Sequence, residues 1–215
     1  MEVFIAAVAG GLFGFAADRL SARWPLHEDG RVRGIDWRTP TVIAGSGASF
    51  AALAGRWSDP ADLLVLGIYL AALMVLLATD LDQRLLPDVI TLPLIGYAAA
   101  VTFLGLNPAL EGKSQLLVAD GDLGAILGAI LAPGLLALTD RIFKGALGMG
   151  DLKLAVSLGL MFGVTQLFAG FLAATIAFSA VVLALVLSRR VSLKTAIPFG
   201  PALIGAGVLA AVMQV

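Results

Sequence analysis

Two short stretches hold the side chains that could do chemistry. Thr79-Asp80-Leu81-Asp82-Gln83-Arg84-Leu85-Leu86-Pro87-Asp88 brings three carboxylates into one polar break, and Gly148-Met149-Gly150-Asp151-Leu152-Lys153-Leu154 sets a single carboxylate among glycines and a lysine. Two carboxylates brought together cannot both stay ionised cheaply, because like charges repel strongly where water is scarce, so the pair shares a proton. The ionised member can then take a proton from water, and the protonated member can give one to a carbonyl oxygen. Such hydrolysis needs no thiol, imidazole or metal. The chain has no cysteine and a single histidine. This excludes disulfides, thiolate metal sites and cysteine nucleophiles, and argues against a histidine-based zinc site or triad. No cofactor and no metal are expected.

Each residue also has a plainer reading. Asp151 stands before an apolar run and could be a helix N-cap, as could Asp88 before Val89-Ile90. Asp82 could pair with Arg84 in solvent. Gly148 and Gly150 could simply make a turn. The glycine-rich stretch lacks the Gly-Lys-Ser/Thr run of a phosphate loop. A transporter using midplane acids is the rival reading from composition.

The elements that must carry these groups are membrane helices. Of 215 residues, 60% are apolar and only 13% are charged, about half the ~25% of a soluble domain. Mean hydropathy is +0.98. A soluble chain of this size could not hide so much apolar surface. The formal net charge of −1 gives no basic face for nucleic acid. Apolar stretches run over about 2–18, 40–55, 61–79, 88–106, 119–138, 151–164, 166–188 and 196–214. The second and sixth are the weakest. Strand alternation is missing, which argues against a membrane barrel. The expected fold is all-α: one polytopic membrane domain over 1–215 with about eight transmembrane helices. Residues 19–39 form a short cytoplasmic loop. The first stretch lacks a positive leading region, so it is expected to be a retained helix.

With eight spans, the breaks holding Arg19, Arg23, Arg31, Arg33, Arg38, Arg84, Arg141, Lys144, Lys153, Arg189, Arg190 and Lys194 fall on one side. Only Arg56 and Lys113 fall on the other. That asymmetry puts the basic side in the cytoplasm and both termini outside. Both acidic clusters then lie at the cytoplasmic face, at one depth. Asp18 beside Arg19, Asp140 beside Arg141, and Asp59-Pro60 at a helix start have bland explanations. Gly10-x-x-x-Gly14, Gly124-x-x-x-Gly128 and Gly159-x-x-x-Gly163 fit close helix packing. Pro198 and Pro201 predict a kink in the last span. Trp24, Trp37 and Trp57 read as interface anchors.

At this point the motifs carry a resemblance. Asp80 through Asp88, continuing Val89-Ile90-Thr91-Leu92-Pro93, resembles the first catalytic motif of the type IV prepilin peptidases. Gly148 to Leu154 resembles their second motif, and Ile197-Pro198-Phe199-Gly200-Pro201-Ala202-Leu203 resembles their C-terminal segment. The likeness covers about 63–205. It implies a polytopic inner-membrane aspartic protease of the Gly-x-Gly-Asp class. Such enzymes cut the basic leader from prepilins and pseudopilins at the cytoplasmic boundary. By position, the catalytic aspartates are Asp80 and Asp151, with Gly148, Gly150 and Lys153 in support. Asp82 and Asp88 are structural. The expected partners are a substrate helix and the lipid bilayer. Bifunctional members carry two Cys-x-x-Cys pairs after the first helix and also methylate the new N-terminus. Here there is no cysteine and only a loop of about twenty residues, so peptidase activity alone is expected.

Overall fold

The computed structural model describes residues 1–27, 30, 32–110, 121–143, 148–188 and 199–213. Among them every regular element is an α-helix: α1 (Glu2–Ser21), α2 (Arg38–Arg56), α3 (Pro60–Gln83), α4 (Asp88–Phe103), α5 (Gly121–Phe143), α6 (Met149–Leu187) and α7 (Gly200–Val212). Helices α1, α3, α5 and α6 are long and apolar enough to cross a bilayer. The fold is that of a polytopic membrane protein.

The described residues hold these seven helical runs where eight spans were expected, because the expected stretches 151–164 and 166–188 are joined across a break inside α6. Gly163 interrupts α6 with a backbone of φ 68° and ψ −179°, which glycine reaches without a Cβ penalty. Contacts along α7 show what the break does. Leu158 lies by Gly207, Gln166 donates to the Ala210 carbonyl at 2.6 Å, and Gly170 lies against Ala206. The order reverses after Gly163, so the chain turns back there. Carbonyls freed just before the turn are satisfied by neighbours from α4 and beyond it. Thr102 Oγ1 donates to the Leu160 carbonyl at 3.0 Å, and Asn107 Nδ2 donates to the Met161 carbonyl at 2.8 Å. Asn107 is buried. Asn107→Ala orphans a buried carbonyl. It is expected to destabilise the protein by about 1–3 kcal/mol, read as a lower Tm in detergent.

Small residues set the spacing between helices. A Cβ on Gly10 would meet Phe50 Cβ at 2.8 Å, and one on Gly14 would meet the Val42 carbonyl at 2.8 Å, so α1 and α2 nearly touch along their backbones. A Cβ on Gly128 would meet the Gly159 carbonyl at 2.8 Å, which gives the same intimacy to α5 and α6. Gly163, expected as a packing glycine, packs so closely that a Cβ on Gly128 would meet its carbonyl carbon at 3.0 Å, and it also makes the turn.

The core sits on α3. Leu66, Tyr69, Leu70, Leu73 and Met74 pack with Leu154, Leu158, Met161 and Phe162 of α6 and Leu203 and Ile204 of α7. The Tyr69 and Ser157 hydroxyls are 2.8 Å apart, satisfying each other where water is absent. Asp59 caps α3, accepting from the Ala61 N–H at 2.7 Å, with Pro60 at the helix start as the sequence predicts. Pro201 produces no kink: it lies in the first turn of α7, where its missing N–H costs nothing. Pro198 lies outside the described residues. Trp57 is a tether between elements, its Nε1 donating to the Ala211 carbonyl at 2.8 Å.

Candidate active site

Six helix ends meet at one end of the bundle. Asp18, near the end of α1, accepts from Thr39 at the start of α2 at 2.8 Å. Asp82 at the end of α3 meets Arg38 at 3.3 Å. Asp88 at the start of α4 meets Lys153 in the first turns of α6 at 2.6 Å. Gly200, first residue of α7, lies on the Asp80 carboxyl: any Cβ there would collide with Cγ and both oxygens.

Asp80 and Asp151 are brought to this end together, within range of each other's charge, and Arg84 is in range of Asp80 as well. Asp80 sits in the last full turn of α3 and is only 5% exposed. Its Oδ2 is buried and has no hydrogen-bond partner among the described residues. A buried carboxyl oxygen left unpaired is costly in a merely structural residue. Asp151 is half-buried in the first turn of α6, and its Oδ2 accepts from the Gly148 N–H at 3.0 Å. It reaches back across its own helix start, as the third residue of a capping box does. The other oxygen remains for Asp80 or water.

The connection between α3 and α4 holds the two motifs against each other. Arg84 ends α3 in the left-handed conformation, φ 55°, its N–H donating to the Asp80 carbonyl at 2.9 Å. For a residue with a Cβ this costs about 1 kcal/mol, and it turns the chain sharply toward α6. Leu86 then lands on Gly150, where a Cβ would meet Leu86 Cβ at 2.7 Å. Gly150 is therefore a site of close approach rather than of special backbone freedom. Gly148 lies beside the Asp151 carboxylate. Lys153 pairs with Asp88. The latter makes no cap hydrogen bond; Pro87 occupies the N-cap position of α4.

Asp82 does not pair with Arg84 in solvent. Its side chain is 2% exposed and faces away from the site into an ionic cluster. Arg33 Nε lies 2.8 Å and Arg38 Nη1 3.3 Å from its Oδ1, and His27 Nε2 is 3.2 Å from its Oδ2. The Arg33 contact is an ion pair whose angle is poor for a hydrogen bond. Asp18 is buried as well, held by Arg19 and Arg33, each at 2.5 Å. Burial alone would weaken the hold of Arg33 on its proton, but Asp18, Asp82 and Asp36 outweigh it and keep the guanidinium above its ordinary range. The sequence reading missed this cluster and the contact of Gly200 with Asp80. The signal for the cluster was present, in an aspartate closing an apolar stretch opposite a loop of five arginines.

An apolar cavity of about 510 Å³ lies among α5, α6 and the start of α7. Ala155, one turn beyond Asp151, lines it together with Leu135, Thr139, Phe171, Phe199 and Leu203. No group of acidic or histidine side chains suited to a metal ion occurs among the described residues.

Comparisons with known proteins agree with these motifs. The chain is 30% identical over 187 residues to the prepilin leader peptidase/N-methyltransferase of Dickeya chrysanthemi, covering 84% of this chain and 62% of that protein. It is 33% identical over 176 residues to the protein of the same name from Burkholderia pseudomallei, covering 80% and 54%. The Bacillus subtilis protein of that name is 26% identical over 176 residues, covering 82% and 66%. The chain thus spans a little over half the length of these relatives. No solved structure matches it. The sequence profile described as the type IV leader peptidase family matches residues 67–188, a stretch that holds both aspartates, most of α3 and all of α4, α5 and α6, and the chain belongs to that family.

Proposed function

We propose that this chain is a membrane aspartic endopeptidase that removes the leader from type IV prepilin or pseudopilin precursors, with Asp80 and Asp151 as the catalytic pair. The observation that carries the reading is the buried, partnerless Asp80 Oδ2 within charge range of Asp151. One carboxylate takes a proton from water, and the oxygen so activated attacks the peptide carbonyl carbon. The other carboxyl protonates the carbonyl oxygen. As the C–N bond breaks, a proton passes to the leaving amine. Gly148, Gly150 and Lys153 serve by letting the two motifs pack closely and by tying α6 to α4. The apolar cavity lined by Ala155, one turn beyond Asp151, and by Phe199 suits apolar side chains of a substrate helix that arrives through lipid while its polar leader stays at the surface.

The bundle end that bears the pair faces the cytoplasm of an inner membrane, and both termini lie outside. Support comes from charge: Arg19, Arg23, Arg33, Arg38, Arg84 and Lys153 belong to segments at that end. The reading is restricted to cleavage, since residues 1–215 hold no cysteine for a pair of Cys-x-x-Cys motifs between α1 and α2.

The test is a cleavage assay in detergent or proteoliposomes with a purified prepilin and S-adenosylmethionine. The expected product is lighter by the mass of the leader and carries no added methyl group. An uncut prepilin counts against the peptidase, and a methylated product counts against the restriction to cleavage.

A further inference from the structure

The ionic cluster behind Asp82 lies outside the reacting pair, yet it grips the same turn of helix. Asp80 and Asp82 share the last turn of α3 but point to different sides. Asp80 faces α6 and α7; Asp82 faces the segment between α1 and α2. Arg33 sits at the middle of that segment with its side chain 10% exposed. It meets three acids from three places: Asp18 of α1 at 2.5 Å, Asp36 of its own segment at 2.7 Å, and Asp82 of α3 at 2.8 Å. Gln83, the last residue of α3, donates to the Pro25 carbonyl of the same segment at 2.7 Å. Helix ends fray unless something holds them. Here the end that carries Asp80 is held from outside, by a segment with no part in the reaction.

We infer that Arg33 is a positioning residue for Asp80: acting through Asp82, it straps the last turn of α3 and sets how the Asp80 carboxyl meets Asp151. The inference rests on the proposed peptidase function for its kinetic readout. Among the described residues the cluster is balanced in charge. Arg19, Arg33 and Arg38 face Asp18, Asp36 and Asp82, and His27 on Asp82 is the remaining titratable contact described. Removing Arg33 alone therefore leaves a buried acid uncompensated, which damages the fold as well as the strap. Removing Arg33 and Asp82 together restores the balance: Asp18 keeps Arg19, and Asp36 keeps Arg38. Apolar replacement of a buried pair is commonly neutral for stability. The double variant thus separates positioning from folding.

Expected for the Arg33→Met/Asp82→Leu double variant is a Tm near that of the parent. Its kcat on prepilin should fall about 100-fold with KM little changed, the penalty of a reacting group displaced by about 1 Å. Return of kcat along with Tm overturns the inference. A second measurement does not depend on activity. The chain has no native cysteine, so Asp80→Cys and Asp151→Cys can be cross-linked oxidatively in membranes. Adding the Arg33→Met/Asp82→Leu pair should slow that cross-link several-fold, and an unchanged rate overturns the strap. If the parent chain cuts no prepilin, the proposed function fails and the cross-link alone decides the inference.

Discussion

Asp80→Asn and Asp151→Asn are each expected to leave prepilin with its leader attached if the proposed pair does the cutting. Proton transfer by a positioned side chain contributes about 10²–10⁴-fold to a rate. Loss of either member of a pair that works as a unit is therefore expected to cost about a thousandfold or more, ~4 kcal/mol of barrier. An amide can neither take the proton from water nor deliver one to a carbonyl oxygen. The shape is nearly conserved, so folding is largely spared. Asn at 151 can still accept from the Gly148 N–H through its carbonyl oxygen, keeping the 3.0 Å bond that closes the start of α6. Asn at 80 puts an amide where Oδ2 already lacks a partner, which costs about 1–3 kcal/mol at most. The double variant should be no slower than the worse single one, because the second loss removes nothing that still works. The measurement is the mass of the substrate after incubation, with variant abundance and Tm as controls. Parental cleavage by either single variant overturns the assignment.

The fold was legible in the sequence to the extent that lipid dictates it. Apolar run length and scarce charge are read directly by a bilayer, and Glu2–Ser21, Pro60–Gln83 and Gly121–Phe143 follow from that alone. Asp59 and Pro60 mark a helix start because capping is local chemistry. The division of Met149–Leu187 into two stretches was legible as well, with the break expected just after 164 and found at Gly163; what was not legible is that this glycine makes it. A glycine in an apolar sequence reads equally as packing and as turn, and only the positive φ decides between them. The proline kink failed for a related reason. Pro201 breaks a helix from within and starts one from its first turn, and the position of the boundary at Gly200 is set by tertiary contact.

At the candidate site, what the motifs place along the chain was legible and what meets across it was not. Asp80 and Asp151 stand out because an acid beside an apolar run needs an account. Asp82 stands two residues from Asp80 and resembles it in every sequence property, yet it faces the opposite way into Arg33, Arg38 and His27. Local spacing cannot say which of two aspartates on one turn faces a neighbouring helix. Lys153 was expected to give electrostatic support to the catalytic pair, and its ion pair with Asp88 was not foreseen. That partner lies in the other motif, 65 residues away. The strap from Arg33 joins α1, its own segment and α3, a three-body contact with no local signature.

Gly200→Ala should disable the proposed peptidase through a single methyl group. The Cβ would fall on the Asp80 carboxyl, with Cγ and both oxygens within contact, so either α7 or Asp80 must move. Helix α7 has little freedom to do so. A Cβ on its Gly207 would meet Leu158 Cδ2 at 2.5 Å, and Gly170 of α6 already lies so close that its own Cβ would meet the Ala206 carbonyl at 2.5 Å. Pro201 stiffens the first turn. The carboxyl is the softer partner, because it turns about its own side-chain bonds, and it would rotate away from the position it holds toward Asp151. A reacting group displaced by about 1 Å costs about 100-fold in rate, while overpacking costs about 1–3 kcal/mol of stability. The expected result is a protein that still inserts and melts cooperatively at a reduced Tm, with kcat on prepilin down about 100-fold and KM little changed. Gly205→Ala is the control. It lies on the same helix, but its Cβ would make only an ordinary 3.8 Å contact with Ala174, so both Tm and kcat should stay at parental values. Parental kcat in Gly200→Ala would mean that the Asp80 carboxyl need not lie where α7 now confines it, and the closeness of the two would then have no part in catalysis.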